Sequence, residues 1–280
     1  MIGRIPSAFA VNGFSYRKYS FGYFLDSCLR LGVGRIELCG CHPHFTPFEA
    51  EPFDVKALAA QIRSRGLTVA AILPEQNFLP VNIASADEYF RKKSVEQIAF
   101  YLRAAGELDC HMVMVYPGKC RKDQPPSLAW NKARDSIDQL KNIAAQNGAE
   151  LLLEPVSPFV SSLMPDISAL QRMIDGVGGG VGVCLNSSAA TLAGESLEDY
   201  FQTFGERIRL VQLSDSCEEN EQMVIGQGTQ NFKQHCANLK KYGYRGDVVI
   251  ELMDEELADR PEESYAESIS CLQKIWEEPA

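Results

Sequence analysis

Two glutamates carry the chemistry on offer. Glu154 closes the apolar run ELLLEP (150–155), and Glu251 closes DVVIEL (247–252). A carboxylate at the end of so greasy a segment is costly to bury alone, so each needs a polar or charged partner. Two carboxylates facing one carbon can take a proton from one side and return it on the other, which inverts a centre beside a carbonyl. Between them in the chain, Asn186 follows VGVCL (181–185), and Gln212 with Asp215 closes IRLVQLSD (208–215). Glu37, Glu75 and Tyr116 hold similar positions in GRIELCG (34–40), LTVAAILPE (67–75) and HMVMVYPG (111–118).

Something must bring residues so far apart in sequence to one place. With IGRIPSAFA (2–10), the apolar runs number eight, and a longer segment with helical spacing follows each. The spacing predicts helices over 21–31, 54–65, 85–107, 128–147, 166–176, 197–204, 232–242 and 262–276. Val55, Leu58, Ala59 and Ile62 form one stripe, with Gly66 as the stop. Ser85 and Glu88 read as a capping box. Alternating strands and helices imply parallel pairing with right-handed crossovers. Eight such units suit a single α/β domain over 1–280, a (β/α)8 TIM barrel, whose active residues sit at the C-terminal ends of its strands. A doubly wound open sheet competes, but no GxGxxG follows an early strand.

The bulk numbers exclude other classes. The net charge of −10 opposes a sequence-independent grip on nucleic acid or on an anionic membrane. No apolar run approaches the length of a membrane-spanning helix, and MIGRIPSAFAVNG has one Arg and no apolar stretch long enough to be expected to act as a signal peptide. The expected protein is cytoplasmic, and its nine cysteines are reduced core residues.

IELCGCHPHF (36–45), PEQNFLPVN (74–82), EYFRKKSVEQI (88–98), LLLEPVSPF (151–159) and YFQTFGERIRLVQLSDS (200–216), with GQG (226–228), carry a resemblance over nearly the whole chain. The sequence resembles the sugar isomerase/epimerase superfamily of xylose isomerase-like TIM barrels, and within it the fructoselysine 3-epimerase branch. That resemblance implies a carbohydrate substrate, a homo-oligomer, and a divalent metal held by Glu, Asp, His and Glu. The two glutamates of that set would also be the acid/base pair. Glu154 and Glu251 match the two glutamate positions; Asn186 stands in place of Asp, and Gln212 in place of His. Three more positions differ: Val160, Ala189 and Gln222 replace Glu, His and His. The resemblance also makes His44, Glu75 and Tyr116 pocket-wall residues, with Asp215 beside them.

Two readings of the centre stand at this point. In one, Glu154, Asn186, Gln212 and Glu251 form a degenerate site for weakly held Mn²⁺ or Mg²⁺, since amide carbonyls are neutral hard donors. In the other there is no ion: one glutamate is protonated and donates to the other or to Gln212, and the amides of Asn186 and Gln212 are donors to the developing oxyanion. The function divides likewise. One reading is a proton-transfer epimerase of a ketose or amine-conjugated ketose; the other is a catalytically silent barrel that binds a sugar-like ligand or a protein partner. An endonuclease of the same superfamily fails on charge and on having only four histidines. Cys39, Cys41, His42 and His44 are dense enough for a metal cluster, but a strand end and a loop wall explain them. His111 belongs at the barrel bottom, and His235 on a helix. Phe14, Tyr16, Phe78 and Phe159 are expected to pack loops, and Arg121 and Lys122 to be solvated.

Overall fold

The structure is a computed structural model that describes residues 9–47, 53–77 and 79–277. Its eight strands are β1 (Phe9–Asn12), β2 (Arg35–Gly40), β3 (Thr68–Pro74), β4 (Met112–Val115), β5 (Glu150–Leu153), β6 (Gly182–Asn186), β7 (Ile208–Leu213) and β8 (Asp247–Ile250). All neighbours pair in parallel in chain order, and β8 returns to β1, so the sheet is a closed barrel. The expected run at 2–10 begins outside the described residues, as does Phe78. Within the described residues the first strand starts at Phe9 and extends past that run to Asn12.

The helices between strands are α1 (Phe21–Arg30), α2 (Val55–Ser64), α3 (Glu88–Ala104), α4 (Pro126–Gln146), α5 (Ile167–Gly176), α6 (Ser187–Leu192), α7 (Leu197–Phe204), α8 (Phe232–Lys241) and α9 (Pro261–Glu277). One cap differs from expectation. α3 starts at Asp87, whose side chain accepts from the Phe90 N–H, while Ser85 accepts from the Asp87 N–H in the preceding turn. The capping box belongs instead to Ser196 and Asp199 at α7. The short α6 was not expected; Asn186 nucleates it, as described below.

Strand alternation explains how the site is made. Leu151 and Leu153 face the helices, while Leu152 points into the barrel with Ala10, Ala71, Met114, Cys184, Leu210 and Val249. Continuing by two residues from Ala10, Leu152, Cys184, Leu210 and Val249 gives Asn12, Glu154, Asn186, Gln212 and Glu251. An apolar interior layer is thus topped by a polar one at the C-terminal rim. The small residues Ala10, Ala71 and Cys184 leave room beneath it. Register sets neighbours within that layer: Asn12 pairs with Glu37, and Asn186 with Gln212.

Outside the rim, the expectations for packing mostly hold. Phe14 and Tyr16 are buried, and the nine cysteines are free thiols, six of them buried. His111 lies before β4 at the N-terminal end and meets the Gly148 carbonyl at 3.2 Å. His235 on α8 is buried against Gln230 Oε1 at 3.0 Å.

Candidate functional site

The rim layer opens into a cavity of about 290 Å³. Glu75, Tyr116, Lys119, Glu154, Phe159, Asn186, Glu221, Gln222, Glu251 and Met253 are among its walls. Glu154 and Glu251, from strands on opposite sides of β6 and β7, meet there. Asn186 joins them: its Nδ2 donates to Glu154 Oε1 at 3.2 Å and to Glu251 Oε2 at 2.8 Å. Gln222 Nε2 adds a bond to Glu251 Oε2 at 3.0 Å. Gln222 has φ of 59°, an uncommon backbone state for a non-glycine residue. It is fixed by the Met253 N–H on its carbonyl and by the Asp215–Met223 bridge beside it.

Gln212 is fully buried and reaches the cavity only through its bonds to Asn186 and Glu251. Its Nε2 donates to Glu251 Oε1 at 3.1 Å and to Glu37 Oε1 at 3.1 Å. Glu37 also accepts from Asn12 Nδ2. Three carboxylates, from β2, β5 and β8, are therefore linked by amides from β1, β6 and β7. Burial pushes all three carboxyls above their ordinary range. Glu251 rises to about 7, and Glu37, which also feels the Glu251 charge, to about 8. Glu154 is raised too, by burial first and then by the charges of Glu251 and Glu37. Oxygen Oε2 of Glu154 is buried and has no hydrogen-bond partner among the described residues.

The donor set does not fit a divalent ion. A cation needs lone pairs turned toward it. Asn186 turns its nitrogen toward both glutamates, because its Oδ1 accepts the Ala189 N–H at 3.1 Å as the N-cap of α6. Gln212 likewise presents NH₂ to two carboxylates, and its Oε1 meets Cys184 Sγ at 3.2 Å and Asn186 Nδ2 at 3.2 Å. Only Glu154 Oε2 is an open acceptor of the four positions' inner atoms. Among the described residues no cluster of three or more His, Cys, Asp or Glu side chains is placed to hold a metal.

The remaining expected wall residues divide. Glu75 and Tyr116 line the cavity; the Tyr116 hydroxyl accepts from the Gln76 N–H at 3.0 Å, and burial keeps it protonated. His44 does not belong to the wall. Its Nε2 meets the Tyr19 carbonyl at 2.9 Å and its ring stacks on Phe24, 5.9 Å between centroids, because an apolar shell beside α1 was the better place for a neutral imidazole. Asp215 is also used elsewhere. It is buried and accepts the backbone N–H groups of Ser216, Gly226, Gly228 and Gln230, so it shapes the GQG loop. Phe159 was expected to pack a loop; it is 78% exposed on the cavity wall. Arg121 pairs with Asp123 at 2.6 Å.

Sequence reasoning missed Asn12, Lys119 and the role of Glu37. Extending the alternation from Ala10 by two residues would have found Asn12. Lys119 carried no signal; it is the basic residue of this wall, with its backbone held by Asn82 through bonds of 2.9 Å at both N–H and carbonyl.

A family model described as xylose isomerase-like TIM barrel matches residues 25–275. Fructoselysine 3-epimerase from Escherichia coli O157:H7 is 23% identical over 229 residues, covering 80% of this chain and 82% of that protein. Among solved structures, an L-ribulose 3-epimerase superposes with a TM-score of 0.80 at 18% identity, over 96% of this chain and 94% of that one. The IOLI protein, solved with a bound zinc atom, gives 0.79 at 17% identity over 96% and 98%.

Proposed function

The chain belongs to the xylose isomerase-like TIM barrel family, and from that premise we propose that it is a carbohydrate epimerase acting by proton transfer. The substrate class is a ketose or an amine-conjugated ketose, in keeping with the sugar epimerases it is similar to. One observation carries the reading: Glu154 and Glu251 meet in one cavity, bridged by a single amide nitrogen.

Epimerisation at a carbon beside a carbonyl needs a base on one face and an acid on the other. Carboxyls with values raised toward neutrality suit both tasks, because one can be ionised while the other holds its proton. The ionised glutamate removes the proton, and the protonated one delivers its own to the opposite face. The enediolate formed between these steps carries charge on oxygen. Lys119 and the Tyr116 hydroxyl, on the wall of the same cavity, are the groups this reading assigns to stabilise it. Glu154 lines the cavity, and its buried Oε2 has no hydrogen-bond partner among the described residues.

The test is loss of the proton next to the carbonyl. Incubation with D-fructose, L-ribulose or fructoselysine in deuterated water, read by proton NMR, should show exchange at that carbon. Glu251→Gln should abolish the exchange and leave the thermal melt cooperative. Exchange at an unchanged rate in Glu251→Gln would remove the proposed base. A second reading, a silent barrel, draws on the internal amides that already satisfy Glu251. It predicts ligand-induced thermal stabilisation with no exchange in any of these sugars.

A further inference from the structure

We infer that this barrel has exchanged its cation for amide hydrogens, and that Glu37 and Asn12 are the residues that lock the exchange in place. The inference stands apart from the identity of the substrate. It starts from which way two side-chain amides point.

Each amide is fixed from behind. Reversing Asn186 would turn its NH₂ onto the Ala189 N–H, donor against donor, and uncap α6. Reversing Gln212 would turn its NH₂ onto the Asn186 NH₂, donor against donor, and break its bonds to Glu37 and Glu251. Glu37 in turn is held by Asn12 Nδ2, and Asn12 Oδ1 by the Phe14 N–H at 2.7 Å. This chain of bonds runs from the start of the β1–α1 loop to Glu251 on the cavity wall. Every member is buried, so rearrangement would strand a polar group without water to satisfy it. The N–H groups of Asn186 and Gln212 therefore occupy the space between the carboxylates, which a cation would otherwise take. They bring Glu251 to Glu154 on one side and to Glu37 on the other. A neutral donor pair does this without adding charge, and it leaves Glu154 Oε2 without a partner among the described residues.

Metal binding by the purified full chain tests this without any substrate. After dialysis against chelator and then against Mn²⁺ or Zn²⁺, bound metal is measured by elemental analysis. Free Mn²⁺ is followed by its EPR signal, and the melting temperature is recorded with and without each ion. The wild-type chain should hold no stoichiometric ion, and its melting temperature should not respond. Asn186→Asp with Gln212→His should take up one ion per chain, with affinity raised about 10- to 100-fold or more and a metal-dependent rise in melting temperature. If that pair does not fold, Gln212→His alone should show the same direction. A wild-type chain that binds one equivalent as tightly as the variant overturns the inference, as does a folded variant that gains nothing. Failure of the epimerase reading looks different: no exchange in sugars, whatever the metal result.

Discussion

Raising the pH should destabilise this protein above about pH 6.5, and replacing Glu37 should remove part of that loss. Glu37 is fully buried, and its carboxyl is raised from 4.5 to about 8. The unfolded chain gives up this proton near 4.5 while the folded chain keeps it until about 8. The stability it contributes is thus complete below the unfolded value and is lost as pH rises through the folded one. Each proton retained costs about 1.4 kcal/mol per pH unit. From about pH 6.5 to 8 that is about 2 kcal/mol for Glu37, or a fall in melting temperature of about 4 °C or more. Glu251 and Glu154 add in the same sense. The buried histidines His44 and His235 act the other way: their folded values are lowered, so their effect is confined to pH below about 6.5. The assay is calorimetry or dye-monitored melting of the wild type and Glu37→Gln across about pH 6.5–8.5. Taking the difference between the two proteins cancels other titrations. It should shift by about 2 kcal/mol in favour of the variant as pH rises. A difference that stays constant would refute the argument that Glu37 is held protonated by its surroundings.

Two further substitutions test the frame around the cavity. Gly118 has φ of +85°, and a Cβ there would lie 2.3 Å from Asn82 Oδ1, so Gly118→Ala should cost about 2–4 kcal/mol by denaturant melting and disturb the clamp that places Lys119. Asn186→Ala removes the cap of α6 and the donor shared by Glu154 and Glu251, so it should lose about 1–3 kcal/mol and expose the two carboxylates to each other; a neutral effect would mean the bridge is not formed.

The β/α rhythm, the helix positions and the two glutamates were legible in the sequence because they depend on local order. A buried strand is a short apolar run, a helix a stripe of period 3.6, and a polar residue at a strand's end needs no partner to be noticed. Gln212 stood out because it interrupts an apolar run. Asn12 passed unseen because β1 runs beyond the stretch its apolar residues suggested. His44 and Asp215 looked like wall residues by position, yet their side chains turned to Tyr19 and to the GQG backbone. Direction is a matter of what surrounds a side chain, and no spacing rule encodes it.

The same holds at the centre. Composition and order were enough to say that two carboxylates and two amides would share one rim. Whether those amides would offer oxygen to a cation or hydrogen to the carboxylates could not be read from residue types, since Asn and Gln carry both at opposite ends of one group. Tertiary structure decided it through the atoms that hold each oxygen, the Ala189 N–H behind Asn186 and the Asn186 NH₂ and Cys184 thiol behind Gln212. A donor at the back of an amide holds its oxygen there and leaves its nitrogen facing the site, an acceptor at the back does the reverse, and only the folded barrel supplies the back.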